Sequence, residues 1–177
     1  MYADAVRLPF MTTQESLFET AIRDYKQSLA RIVATYELQP ALQQELHQEI
    51  LLAIWKSLAS FRGDSSLHTF IFKVAHNQAI NHVSRYANKP TLESIENPIP
   101  SDEDCPEGSA IQDQNMQLLF SAMHQLPVLQ RQLLALSLEG LSYQELAEVT
   151  GLSESNVGVR LNRAKKALRS YMEQNHG

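Results

Sequence analysis

Residues 142–172 read SYQELAEVTGLSESNVGVRLNRAKKALRSYM, and this stretch decides the fold. It spells two helices joined by a tight turn. Ser142 and Glu145 stand three apart, the spacing of a capping box in which the serine caps the helix and the glutamate reaches back to its amide. Leu146, Ala147 and Val149 form the apolar side of the first helix. Gly151 follows, the residue type that leaves a helix in a left-handed conformation. Ser153 caps the second helix. Val157, Leu161, Ala164, Leu168 and Met172 then recur every three or four residues as one buried stripe. A small residue at 147, a glycine at 151 and a valine at 157 give the spacing of a helix-turn-helix.

Beside that stripe lie Arg160, Arg163, Lys165, Lys166 and Arg169. Near the N-terminus of the second helix lie Ser153, Ser155, Asn156, Gly158 and Val159, small enough to enter a major groove. A recognition helix reads base edges with such N-terminal residues while nearby cations hold phosphates. Taken alone, the cations read as the solvated face of an ordinary amphipathic helix. Taken with the cap, the glycine turn and the stripe, they read as a DNA-binding surface.

Composition sets the outer limits. The chain has 177 residues, 44% hydrophobic and 20% charged, as expected of a soluble globular protein of one domain or two small ones. The longest apolar run, Ile50 to Trp55, is far too short to span a bilayer. The first fourteen residues lack the pattern of a signal peptide. The single cysteine, Cys105, rules out an internal disulfide and a cysteine-rich zinc site. These features predict a cytoplasmic protein without membrane insertion. The net charge of −5 is unusual for a DNA binder, but it is concentrated. Residues 91–115 carry seven acids and no base, while the segments on either side are each +1. Such asymmetry leaves both flanks free to present basic faces.

Periodicity predicts an all-α protein of two small helical domains joined by an acidic linker. Residues 1–14 form an N-terminal extension, with Met11 as an alternative start. A first helix runs from about Glu15 to Glu37 with Phe18, Ala21, Ile22, Tyr25, Leu29, Ile32, Val33 and Tyr36 on one face. Pro40 opens a second, whose buried row is Leu42, Leu46, Ile50, Ile54 and Leu58. Another face of that helix carries Glu45, Gln48, Glu49, Leu52 and Lys56, with Trp55 beside them. By composition this is a solvated face next to a core tryptophan; as exposed apolar groups rimmed by polar ones, it is a protein-docking face.

The loop from Phe61 to Ser66 contains Arg62, Gly63, Asp64 and Ser65. A third helix follows from Leu67 to about Tyr86, with Leu67, Ile71, Ala75, Ala79 and Val83 inside. Lys73, Asn77, Asn81 and Arg85 step by four along another face, a row about 18 Å long at 1.5 Å per residue. Phe61, Phe70 and Phe72 offer stacking surfaces nearby. Two readings stand side by side: a polar solvent face over core aromatics, or a surface of amides and cations for nucleic acid.

Residues 1–14, 15–90, 91–109 and 110–177 are thus the extension, first domain, linker and second domain. The second domain opens with a helix carrying Met116, Leu119, Phe120 and Met123. Another begins at Pro127 with Leu129, Leu133, Leu134, Leu136 and Leu138 inside and Gly140 as its stop. Pro90 leads into the linker, which holds Pro98, Pro100 and Pro106 together with its acids. No catalytic constellation, cofactor motif or metal-ligand spacing is present. The six histidines do not pair as ligands, and His76 and His82 read as polar-face residues. Cys105 lies among acids that disfavour its thiolate. A non-enzymatic role follows.

At this point the residues resemble a known family. The block ELHQEILLAIWKSLASFRGDSSLHTFIFKVAHNQAINHVSR (45–85) and the block LPVLQRQLLALSLEGLSYQELAEVTGLSESNVGVRLNRAKKAL (126–168) are similar to domains 2 and 4 of the extracytoplasmic-function (ECF) sigma factors, the two-domain members of the bacterial sigma-70 family. The resemblance implies that Glu45, Gln48, Glu49, Leu52, Trp55 and Lys56 dock on the β′ clamp helices of core RNA polymerase. It implies that Arg62, Asp64, Ser65, Lys73, Asn77, Asn81 and Arg85 capture and melt the promoter's −10 element. Ser153, Ser155, Asn156, Gly158, Val159, Arg160, Arg163 and Lys166 would read the −35 element, with domain 4 seated on the β flap. The linker would thread a polymerase channel otherwise used by nucleic acid, and an anti-sigma factor would hold the protein inactive. The family often has tryptophan where Phe70 stands and a basic pair where Ser84 and Arg85 stand, which suggests weaker melting and stricter promoters. Two other functions remain open from the residues: a stand-alone helix-turn-helix regulator, for which the block from Glu45 to Arg85 has no use, and a helical adaptor indifferent to loss of Arg160 and Arg163.

Overall fold

The computed structural model describes residues 13–87 and 108–175. Most of the expected N-terminal extension and acidic linker, with Cys105 and His176, lies outside the described residues. Within them are seven α-helices and no strand: α1 (Thr13–Tyr36), α2 (Pro40–Leu58), α3 (Leu67–Ala87), α4 (Gly108–His124), α5 (Val128–Leu138), α6 (Tyr143–Thr150) and α7 (Glu154–Asn175). The all-α expectation holds, and the helix periods locate the elements to within a few residues except at α4, which begins at Gly108, at the end of the expected linker and ahead of the first periodic residue Met116. No described helix is long and apolar enough to cross a membrane.

Local chemistry sets the ends. Gln39, extended at φ −81° and ψ 122°, precedes Pro40 at the start of α2, because the residue before a proline is pushed out of the helical region. Ser66 closes the loop after Phe61 by accepting the Thr69 amide on its hydroxyl at 3.1 Å. Gly63 turns that loop at φ +81°. At the end of α5, Leu141 N–H donates to the Leu136 carbonyl at 3.2 Å and Gly140 N–H to Ser137 at 3.1 Å. With Gly140 at φ +88° this is a Schellman closure, which needs a left-handed residue at that point. α5 begins at Val128 because Pro127 is extended, so the proline caps the helix and does not sit within its first turn.

α1, α2 and α3 pack on one another, and α7 packs on α4, α5 and α6. The two groups also touch, α1 against α4 and α5, and α3 against α5 and α6. Ala21, Leu29, Ile32, Tyr36, Leu46, Ile50, Ile54, Ile71 and Phe72 make the interior of the first group, and Leu133, Leu136, Leu146, Val157, Leu161 and Ala164 that of the second. All of them belong to one connected apolar cluster.

Four expectations change. His76 and His82 are fully buried and do not line a polar face. They lie on α3 where it meets α1 and α2, and each has a partner there: Tyr36 Oη stands 2.8 Å from His76 Nδ1, and His82 Nδ1 stands 3.3 Å from Glu49 Oε2. Phe72 is also fully buried, one residue along from Ile71, with its ring 5.7 Å from Tyr25 and 4.5 Å from His68. It is therefore no stacking surface for a base. Leu138 is 66% exposed. Two residues past Leu136 turns about 200° around a helix, which carries it off the buried side.

Candidate nucleic-acid interface

The helix-turn-helix is built as its spacing requires. The Ser142 hydroxyl accepts the Glu145 amide at 3.3 Å, and the Glu145 carboxylate accepts the Ser142 amide at 2.8 Å. Gly151 takes φ +72° and returns its N–H to the Ala147 carbonyl. Val157 N–H donates to Ser153 O at 2.9 Å, and Ser153 Oγ caps Asn156 N–H at 3.4 Å. Leu146, Val157, Leu161 and Ala164 have no exposed area, so α6 and α7 are locked together.

That packing fixes what α7 shows to solvent. Ser153, Ser155, Asn156, Val159, Arg163, Lys165, Lys166 and Arg169 are exposed. Gly158 is half-buried and faces α6, where a Cβ would lie 3.5 Å from the Tyr143 ring. Arg160 is also half-buried, and its Nε is enclosed without a hydrogen-bond partner among the described residues. Asn162, Lys165, Lys166 and Arg169 border a shallow surface cleft farther along α7. The outcome is a helix with small polar residues at its N-terminal end and a cationic flank behind them.

The second surface lies on α3 and the loop before it. Arg62, Asp64, Asn77, Asn81 and Arg85 are exposed, while Ser65 and Lys73 are half-buried. Phe61 and Phe70 meet at 4.8 Å between centroids, tilted at 52°, and stay half-buried beside this row. The row does not end in a free cation. Arg85 Nη2 donates to Glu49 Oε2 at 2.6 Å. Gln78 Nε2 adds a bond at 3.2 Å. Burial pushes the Glu49 carboxyl up, but Arg85, Gln78 and His82 outweigh it and hold the group below its ordinary range. Tyr86 Oη donates to Glu45 at 2.9 Å.

Glu45 and Glu49 thus join α2 to α3. On the rest of that α2 face Gln48, Leu52 and Lys56 remain exposed, Leu52 at 52%. Trp55 is half-buried against Phe18, edge to face at 5.2 Å, and its carbonyl accepts from Gln14 at 2.7 Å. The exposed strip of α2 and the polar row of α3 are therefore neighbouring surfaces, tied by the Arg85–Glu49 ion pair and by the hydrogen bonds of Gln78 and Tyr86. Nothing in the local sequence signals that tie, because the partners are 36 residues apart.

Among the described residues no group of three or more histidine, cysteine or carboxylate side chains is placed to hold a metal ion.

Comparison with known proteins places both halves of the chain in one family. The family model for sigma-70 region 2 matches residues 21–89, and that for sigma-70 region 4 matches residues 116–168. The chain is 26% identical over 166 residues to the ECF RNA polymerase sigma-E factor of Haemophilus influenzae, covering 88% of this chain and 87% of that protein. It is 27% identical over 161 residues to the RNA polymerase sigma-H factor of Pseudomonas aeruginosa, covering 85% and 83%. Among solved structures, CnrH bound to the cytosolic domain of CnrY superimposes with a TM-score of 0.63 at 18% identity, covering 89% of this chain and 88% of that one. The sigma factor RpoE of Bartonella quintana, bound to the anti-sigma factor NepR, superimposes with a TM-score of 0.67 at 18% identity, covering 88% and 96%. With region 2 matched on α1–α3 and region 4 on α4–α7, the chain belongs to the sigma-70 family, among its extracytoplasmic-function (ECF) members.

Proposed function

We propose that the chain binds core RNA polymerase in the cytoplasm and directs it to a specific set of promoters, acting by binding alone and without catalysis of its own. The observation that carries this reading is the order of its parts: a region-2 match on three helices, then a region-4 match ending in a helix-turn-helix. Sigma factors of this kind are transcription regulators, and the two solved relatives are each held by a partner protein. An anti-sigma factor is the expected regulator here as well.

Exposure supports the following division of roles among the residues. Glu45, Gln48, Leu52 and Lys56 are the accessible part of the polymerase-docking strip, with Leu52 as its apolar centre. Trp55 and Glu49 support that strip from beneath. Arg62, Asp64, Asn77 and Asn81 are the open part of the −10 surface, flanked by Ser65 and Lys73. Ser155, Asn156 and Val159 face the bases of the −35 element, and Arg163 and Lys166 hold its phosphates. Domains of 15–90 and 110–177 are the units this division implies, with the β flap as the seat of the second. A Leu52→Glu variant tests the docking role. It should fold normally and lose retention on immobilised core polymerase; full retention would remove α2 from the interface.

A further inference from the structure

Two cations of α7, Lys165 and Arg169, lie off the line of Ser155, Val159 and Lys166. Successive residues turn about 100° around a helix. With the buried residues Val157, Leu161 and Ala164 as the back of α7, Ser155, Val159 and Lys166 run down its front. Arg163 stands about 60° to one side of Lys166 and Arg169 about 60° to the other, with Lys165 about 40° beyond Arg169. All four are exposed. Arg163 and Lys165 are neighbours but one in sequence, yet they lie about 160° apart around the axis. The cations of α7 therefore form two flanks, with the base-facing residues between them.

The second flank has a character of its own. Lys165 and Arg169 border the cleft on α7 together with Asn162 and Lys166. Neither Lys165 nor Arg169 forms an ion pair or hydrogen bond with a described residue. The acids of α7, Glu154 and Glu173, stand at its ends. Toward the N-terminus the same flank passes Gly158, within about 20° of Lys165 and of Arg169 in rotation. Tyr143, the first residue of α6, covers that glycine. A Cβ at 158 would meet the ring at 3.5 Å, so any longer side chain would push the ring aside. Tyr143 is 44% exposed, and its hydroxyl has no hydrogen-bond partner among the described residues. An unbonded phenol and two unpaired cations thus share one flank, along about 17 Å of helix from Gly158 to Arg169.

The size of a groove gives that flank a use. The major groove is about 12 Å wide, and a helix with its side chains is about 10–12 Å across. A helix seated with its front on the base edges brings each flank against one backbone. Arg163, with Asn156 about 20° away, meets one strand. The other flank meets the opposite strand, and it offers three donors suited to phosphate oxygens.

We propose that Tyr143, Lys165 and Arg169 hold phosphates on the second strand of the −35 duplex, opposite the strand held by Arg163. The proposal rests on the sigma-factor reading, which supplies the duplex. Contact with both strands fixes the roll of α7 about its own axis. The three residues are therefore positioning residues, which set how Ser155 and Val159 meet the bases.

The test uses holoenzyme reconstituted from core polymerase and the full chain, bound to a promoter duplex taken from its own start-site map. Neutral methylphosphonate linkages replace the −35 phosphates on one strand or on the other. On unmodified duplex at about 0.1 M salt, Lys165→Ala and Arg169→Ala should each weaken binding about fivefold to tenfold and lower the salt slope by about 0.9. Tyr143→Phe keeps the ring and removes the hydroxyl, and it should weaken binding about threefold to tenfold. Neutralising one strand should erase these three losses and keep that of Arg163→Ala. Neutralising the other should do the reverse, a pattern that general damage to the fold would not produce. If one strand erased the losses of both Lys165→Ala and Arg163→Ala, the proposal would be overturned. Unchanged binding in Lys165→Ala and Arg169→Ala would overturn it too. So would loss of holoenzyme assembly with DNA binding intact, which would assign the flank to an acidic protein surface. A parent chain that directs core polymerase to no start site would overturn the sigma-factor reading, and this assignment with it, before any variant is made.

Discussion

The exposure of α7 predicts a ranking among its cations that sequence alone does not supply. Arg163 and Lys166 are exposed and three residues apart, hence on one face. Arg160 is half-buried, with its Nε enclosed. Each phosphate contact contributes about 0.9 to the slope of log affinity against log salt for duplex DNA. Arg163→Ala and Lys166→Ala should each reduce that slope by about 0.9, and together by about 1.8. Between 50 and 200 mM salt, one lost contact removes about 3.5-fold of the salt sensitivity and two remove about twelvefold. Arg160→Ala should change the slope by less than half as much and lower the melting temperature instead. The assay is fluorescence anisotropy of a short labelled duplex titrated with full-length chain at four salt concentrations. Any sequence serves, because counterion release does not depend on the bases. Circular dichroism melts on the same samples report the fold. The reasoning fails if Arg163→Ala and Lys166→Ala leave the slope where it was, or if Arg160→Ala has the largest effect.

Three further outcomes follow. Leu146 is fully buried between α6 and α7, so Leu146→Ala should cost about 2–5 kcal/mol in urea denaturation; a loss under 1 kcal/mol would contradict the packing. Burial lowers the His76 pKa to about 3, so below about pH 6.5 protons bind the unfolded chain first and stability falls. From pH 6.5 to 5 that loss is about 1.7 kcal/mol. His76→Gln should flatten this part of the stability profile, and an unaltered profile would refute the assignment. Phe70 is half-buried against Phe61, and Phe70→Trp should widen the aromatic surface and raise run-off transcription from imperfect −10 sequences; no gain would show that melting is not limited there.

Much of the fold was legible because its signals are local. The Ser142 box and the Gly151 turn each lie within a turn or two, each step of the four-step rows of α2 and α3 spans about one turn, and the structure keeps them. The glycine at 140 and the proline at 127 marked the ends of α5 to within a residue. Less legible was everything that depends on how helices pair. His76 and His82 are polar in composition, and only the approach of α1 and α2 turns them into buried partners of Tyr36 and Glu49. Arg85 extends the Lys73 row by spacing, yet a carboxylate 36 residues away claims it. The Arg31–Glu139 pair spans 108 residues, and no period connects them. Phe72 and Leu138 show the same limit from the apolar side, since hydrophobic character alone does not say which way a side chain faces.

The most direct test of the account is transcription in vitro from sheared genomic DNA by core RNA polymerase, with and without the purified chain, followed by mapping of the RNA 5′ ends. The account predicts a discrete set of new start sites that share one sequence near −10 and another near −35. A start-site map unchanged by the chain, while the same polymerase responds to an authentic sigma factor, would contradict it.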